Sequence, residues 1–152
     1  MRQGVRLGID VGRARVGIAR STPDGQMAVP VATLERETAV VGIAELVREW
    51  QPVELVVGLP INLQGNHTAS TEDAEQFSQE LLNAGLGPIR MVDERLSTVS
   101  ASAQLRASGK SSKKQRPVID QVAAVILLQQ SLDTERLQGV PPGVIVTTPR
   151  QS

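Results

Sequence analysis

Apolar positions alternate between Arg6 and Arg20: Leu7 and Ile9 mark one short strand, Val16 and Ile18 a second, and Gly12-Arg13-Ala14-Arg15 forms the turn between them. The chain therefore opens with a hairpin. A turn at Pro23-Asp24-Gly25 leads into Met27 to Leu34, where Val29, Val31 and Leu34 fit a third strand. Pro30 favours an edge position for that strand, because proline cannot donate to a ladder. From Thr38 the period lengthens. Val40, Ile43, Ala44, Val47 and Trp50 recur at helical spacing, with Thr38 as the N-cap and Pro52 just beyond the end. Glu54 to Leu59 is a compact apolar run of the kind found in strands covered on both faces, and its position after a crossover helix implies parallel pairing.

A second helix is predicted over Ala69 to Asn83, with Ala74, Phe77, Leu81 and Leu82 inward, and a fifth strand over Pro88 to Asp93. Leu96 to Ala107 reads as a weakly apolar helix, and Gly109 to Arg116 as a mobile basic loop. Pro117 suits the first position of a last helix that runs to Leu132 and buries Val118, Val122, Val125, Ile126 and Leu128. Residues 1–138 are expected to form one domain. Residues 139–152, with three prolines, read as a flexible tail in which Val144-Ile145-Val146 is the segment able to dock. The order of elements gives an α/β protein with a five-stranded mixed sheet, three antiparallel strands and then two parallel ones, flanked by helices. That is the pattern of the ribonuclease H-like fold.

Length agrees with this reading, since 152 residues is within the roughly 100–200 expected of one domain. Sixteen Lys and Arg balance sixteen Asp and Glu, so any basic surface must be local rather than a property of the whole chain. The absence of cysteine excludes disulfides, thiolate metal sites and a Cys nucleophile, and suits a reducing cytoplasm. No apolar run approaches the roughly 18–20 residues of a membrane span. With Trp50 and Phe77 as the only aromatic residues, base-stacking platforms are excluded, so a nucleic-acid partner would be gripped by its backbone.

Three acidic positions fall where such a sheet brings them together: Asp10 in the first strand, Asp93 or Glu94 at the end of the fifth, and Asp120 in the first turn of the last helix. Asp10 stands between Ile9 and Val11, where a carboxylate is costly unless paired or bound to a cation. Carboxylates clustered on one rim repel one another until a cation neutralises them, and hard oxygen donors select Mg²⁺ or Mn²⁺. Such ions support phosphodiester hydrolysis without cysteine or histidine. His67, the one histidine, is read as a loop residue. Arg95, Arg106, Lys110, Lys113, Lys114 and Arg116 form a basic run with no acid among them, and its position before Asp120 favours phosphate binding.

These residues resemble a known family. Asp10-Val-Gly12 followed by Gly17-Ile-Ala19, then Val57-Gly58-Leu59-Pro60 with Asn62 and Gly65, then Asp93-Glu94-Arg95-Leu96-Ser97-Thr98, then Asp120 with Ala123-Ala124, are similar in order and spacing to the YqgF family. The likeness runs from about Leu7 to Leu132. It implies a ribonuclease H-like endonuclease dependent on Mg²⁺ or Mn²⁺ that resolves Holliday junctions or matures the 5′ end of pre-16S ribosomal RNA. The family's catalytic and metal-binding acids carry over onto Asp10, Glu94 and Asp120, with Asp93 as an additional neighbour. Arg95, Lys110, Lys113, Lys114 and Arg116 are the candidate nucleic-acid contacts. Gln121-Val122 departs from the small residues usual after that last acid. Two rival readings are an actin-like phosphate-binding domain, suggested by Asp10-Val-Gly12, and a non-catalytic module that binds RNA or junctions. Symmetric junction cutting would require a homodimer, and the chain is expected to be a monomer or a homodimer.

Overall fold

The computed structural model describes residues 2–61, 64–93 and 112–146, with the backbone alone over 112–120. β1 (Arg6–Val11), β2 (Arg15–Ser21) and β3 (Ala28–Glu35) form the antiparallel opening. A short 3-10 turn (Arg36–Thr38) leads into α1 (Ala39–Trp50), and β4 (Glu54–Leu59) returns parallel to β1. α2 (Ala69–Asn83) then crosses to β5 (Ile89–Asp93), parallel to β4, and α3 (Ser112–Gln138) precedes β6 (Val144–Ile145). The strand order is β3-β2-β1-β4-β5-β6. Pro30 lies on the edge strand, as its missing N–H requires.

Two expectations need correction. Among the described residues the sheet has six strands, because Val144–Ile145 pairs antiparallel with β5 and the Val146 amide bonds to the Ile89 carbonyl at 2.8 Å. Two residues are too few for an alternating pattern to register. The last helix also begins at Ser112, five residues before Pro117, so Ser112 to Arg116 are helical rather than loop. Lys, Gln and Arg are good helix formers, and their propensity extends the helix through the segment that charge alone marked as loop. The weakly apolar helix expected over 96–107 and the start of the basic loop lie outside the described residues.

One face of the sheet packs Leu7, Ile9, Val16, Ile18, Leu55, Val57, Ile89 and Met91 against α1 and α2, through Ile43, Phe77 and Leu81 among others. The opposite face, with Ala19 and Val56, packs against Ala124, Leu127, Leu128 and Leu132 of α3. The buried apolar side of α3 is thus 123, 124, 127, 128 and 132; of the expected set Leu128 is buried and Val125 packs against the same cluster, whereas Val122 and Ile126 are half-exposed. Gly8 explains the difference. A Cβ there would meet the Leu128 Cβ at 2.9 Å and the Ala124 carbonyl at 3.1 Å, so the helix sits down where a glycine and an alanine let the backbones approach.

The far end of the sheet is closed by charge. Arg6 and Glu135 are 1 % and 3 % exposed, and their side chains pair at 3.1 Å. Arg2 bridges Glu135 at 2.7 Å and Glu54 at 2.8 Å, and Arg90 reaches Glu54 at 3.1 Å. The Arg2 guanidinium holds the Glu135 carboxyl down at about 2, with Arg6 adding to the effect and burial opposing it. Among the described residues no helix is long and apolar enough to cross a membrane.

Candidate active site

Asp10 lies near the carboxyl end of β1, half-buried, with Gly17 of β2 beside it. The registers Ile9↔Val57 and Val57↔Met91 put it level with Gly58 and Val92 on the two parallel strands. Alternation along β1 gives Asp10 the parity of Gly8, which packs beneath α3, and not that of Leu7 and Ile9. The acid therefore belongs to the α3 face of the sheet.

The register of α3 against this face is set by contacts at several levels. Arg6 meets Glu135, Gly8 meets Leu128 and Ala124, the Ala28 amide bonds to Gln129 Oε1 at 2.8 Å, and Thr33 accepts a hydrogen bond from Gln121 at 2.9 Å. Position in the strands rises as position in the helix falls, so α3 runs antiparallel to β1 and β3. Two strand residues advance about 6.6 Å and four helical residues about 6 Å, so one step from Gly8 to Asp10 matches one turn from Ala124 back to position 120. Thr33 pairs with Gly17, and Gly17 with Asp10, so Gln121 is tied to the same transverse row that carries Asp10. Position 120 is adjacent.

The turn that follows Asp10 is held from behind by Arg36. Its Nη1 donates to the Gly12 carbonyl at 3.0 Å and to Asp73 Oδ2 at 2.8 Å, its Nη2 donates to Asp73 Oδ1 at 2.9 Å, and its guanidinium lies 4.8 Å from the centre of the Phe77 ring. Arg36 holds the Asp73 carboxyl below the usual carboxylate range. A Cβ at Gly12 would lie 2.5 Å from the Arg15 carbonyl, so only glycine closes this turn. On the neighbouring loop, Thr68 caps α2 through a reciprocal pair with Thr71, whose hydroxyl also donates to the Pro60 carbonyl. His67 pairs across this loop with Ile61 and is exposed.

The remaining candidates divide as follows. Asp93 ends β5 with the parity of Ile89 and Met91, which pack toward α1 and α2, so alternation separates it from the face of Asp10. Glu94, Arg95 and Lys110 lie outside the described residues. The backbones of Lys113, Lys114 and Arg116 occupy the first turns of α3, at the Asp10 end of the helix. Among the described residues no three His, Cys, Asp or Glu side chains converge as a metal site. The donor chemistry of the candidate set is carboxylate oxygen throughout, which fits Mg²⁺ or Mn²⁺, and the half-buried position of Asp10 at a strand end fits a ligand. A cleft of about 260 Å³ lined by Leu59, Met91 and Val144 opens on the other face and holds none of the candidates. Sequence reasoning missed Arg36, Asp73 and Thr33, and noted Gln121 as a departure without giving it a role. The polar positions at the end of β3 and in the first turns of α2 were the available signal.

A family model described as "RuvX: Holliday junction resolvase" matches residues 4–134. A protein of Clavibacter michiganensis subsp. michiganensis named "Putative pre-16S rRNA nuclease" is 57 % identical over 150 residues, covering 96 % of this chain and 93 % of its own. A Streptomyces coelicolor protein of the same name is 49 % identical over 148 residues, covering 94 % of this chain and 88 % of its own. Among solved structures, Thermus thermophilus RuvC in complex with Holliday junction substrate superimposes with a TM-score of 0.56 at 14 % identity, over 93 % of this chain and 99 % of that one. The fold is accordingly RuvC-like, of the ribonuclease H type.

Proposed function

The chain belongs to the RuvX (YqgF) family of Holliday junction resolvases, and from that premise we propose that it is a divalent-metal-dependent endonuclease whose substrate is the 5′ end of pre-16S ribosomal RNA. It is a hydrolase acting on ester bonds of nucleic acid. The observation that carries the site is the register of α3, which puts position 120 level with Asp10 at the carboxyl rim of the parallel strands. Asp10, Glu94 and Asp120 would hold Mg²⁺ or Mn²⁺, which when bound activates water and neutralises charge at the scissile phosphate. Strand parity, which gives Asp93 the side of Ile89 and Met91, supports Glu94 over Asp93 in this reading.

The chain's own residues supply placement. Gly8 lets α3 approach β1, Arg36 and Asp73 fix the turn after Asp10, and Lys113, Lys114 and Arg116 start the helix at the rim where phosphates would lie. Arg95 and Lys110 complete that basic set. Such contacts position a backbone without reading bases, in keeping with a chain whose aromatic residues are Trp50 and Phe77 alone. A reducing cytoplasm is the proposed location.

The test is direct. The purified chain is incubated with a pre-16S precursor carrying its 5′ extension and, separately, with a four-way DNA junction, each with Mn²⁺, Mg²⁺ or EDTA. Metal-dependent shortening of the RNA supports the proposal. Symmetric junction cutting by a dimer, with the RNA untouched, would move the assignment to DNA, and binding of both without cleavage would leave a non-catalytic module.

A further inference from the structure

We infer that Gln121 and Thr33 are positioning residues for the acidic site, holding position 120 of α3 level with Asp10; this rests on the nuclease reading. Gln121 Nε2 donates to Thr33 Oγ1 at 2.9 Å, across 88 residues of chain. Thr33, Gly17 and Asp10 form one row across three adjacent strands. With strands about 4.8 Å apart, Thr33 stands roughly 10 Å from Asp10, so the bond fixes the helix in the row where the acid sits.

Other contacts of α3 among the described residues hold the helix differently. Leu127, Leu128 and Leu132 bury apolar surface, which opposes separation from the sheet but is non-directional and tolerates small slides along the helix axis. Gln129 anchors the helix to Ala28 and Gln26 two turns later, and Glu135 anchors it at the far end. Gln121 supplies a directional tie next to position 120, which limits such slides in the row of Asp10. Gly17, between Thr33 and Asp10, has no side chain, so β2 leaves that row to α3 and Asp10.

The test uses the full chain in three variants: Gln121→Ala, Thr33→Val, which keeps volume and removes the hydroxyl, and Thr33→Ser, which keeps the hydroxyl. Cleavage is measured as kcat and KM, and Mn²⁺ uptake without nucleic acid is followed by the electron paramagnetic resonance of free Mn²⁺. Gln121→Ala and Thr33→Val should each lower kcat and weaken Mn²⁺ uptake by up to about 100-fold, as misplacing a reacting group by about 1 Å does, with KM for the nucleic acid unchanged. The double variant should be no worse than either single one, and Thr33→Ser should restore both readouts. Wild-type kcat and Mn²⁺ uptake in Gln121→Ala would overturn the positioning role. So would losses that add in the double variant, or that follow melting temperature and are not restored by serine. A wild-type chain that neither cleaves nor takes up Mn²⁺ would overturn the nuclease reading itself, and this inference with it.

Discussion

Glu135, three residues before the end of α3, accepts a hydrogen bond from Arg6 at the start of β1 at 3.1 Å, and both side chains are almost wholly buried. The pair lies at the opposite end of the helix from position 120. It pins one end of α3, while toward the other end position 120 comes level with Asp10, so the buried ion pair and the proposed acidic site lie at separate ends of the same helix–strand contact.

Removing one partner of a buried pair strands the other, so Glu135→Ala should destabilise the chain by about 3–5 kcal/mol in denaturant unfolding. The pH dependence has a definite sign. The Glu135 carboxyl is held down at about 2, below its ordinary value, so its contribution is fully present above about pH 4.5 and is lost as pH falls toward 2. Glu135→Gln should flatten the acid limb of the stability profile between those values. An unchanged limb would show that Glu135 does not carry it.

Gly8→Ala tests the close approach of α3. The added Cβ would meet Leu128 at 2.9 Å and the Ala124 carbonyl at 3.1 Å, so the helix must lift, at a cost of about 1–3 kcal/mol as for other overpacked cores. Turnover should fall as well, because position 120 moves with the helix. A variant with normal melting temperature and normal kcat would contradict the register described for α3.

Much of this architecture was legible in the sequence. Glu54–Leu59 and Ala69–Asn83 match the apolar run and the helical period that marked them, and Pro30 marked its strand as an edge. The buried face of α3 was not legible, since hydropathy favours Val122 and Ile126 whereas packing against Gly8 favours Ala123 and Ala124. Periodicity reports which side chains are apolar, and a close backbone approach depends on which are small. Asp10 stood out as a candidate because an acid in an apolar strand is costly, and it lies half-buried near the carboxyl end of β1. The pairing of Thr33 with Gln121 was not legible, because a hydrogen bond between residues 88 apart leaves no local pattern.

Lys113, Lys114 and Arg116 begin α3 at the rim of Asp10. Replacing Lys110, Lys113 and Lys114 with Ala should weaken binding about equally for all sequences and reduce the slope of log affinity against log salt by up to roughly 0.7–0.9 per lost phosphate contact. Filter binding across a salt series reads this directly. An unchanged slope would mean these lysines face solvent only.

If the proposed carboxylate set at Asp10 carries metal-dependent cleavage, Asp10→Asn in a Mn²⁺ cleavage assay is the decisive measurement. Turnover should fall by more than about 100-fold, with nucleic-acid binding retained. Without metal, the variant should melt at or above the wild-type temperature, because removing one charge relieves carboxylate repulsion. Wild-type turnover in Asp10→Asn, or undiminished cleavage by the wild-type chain in EDTA, would contradict that proposal.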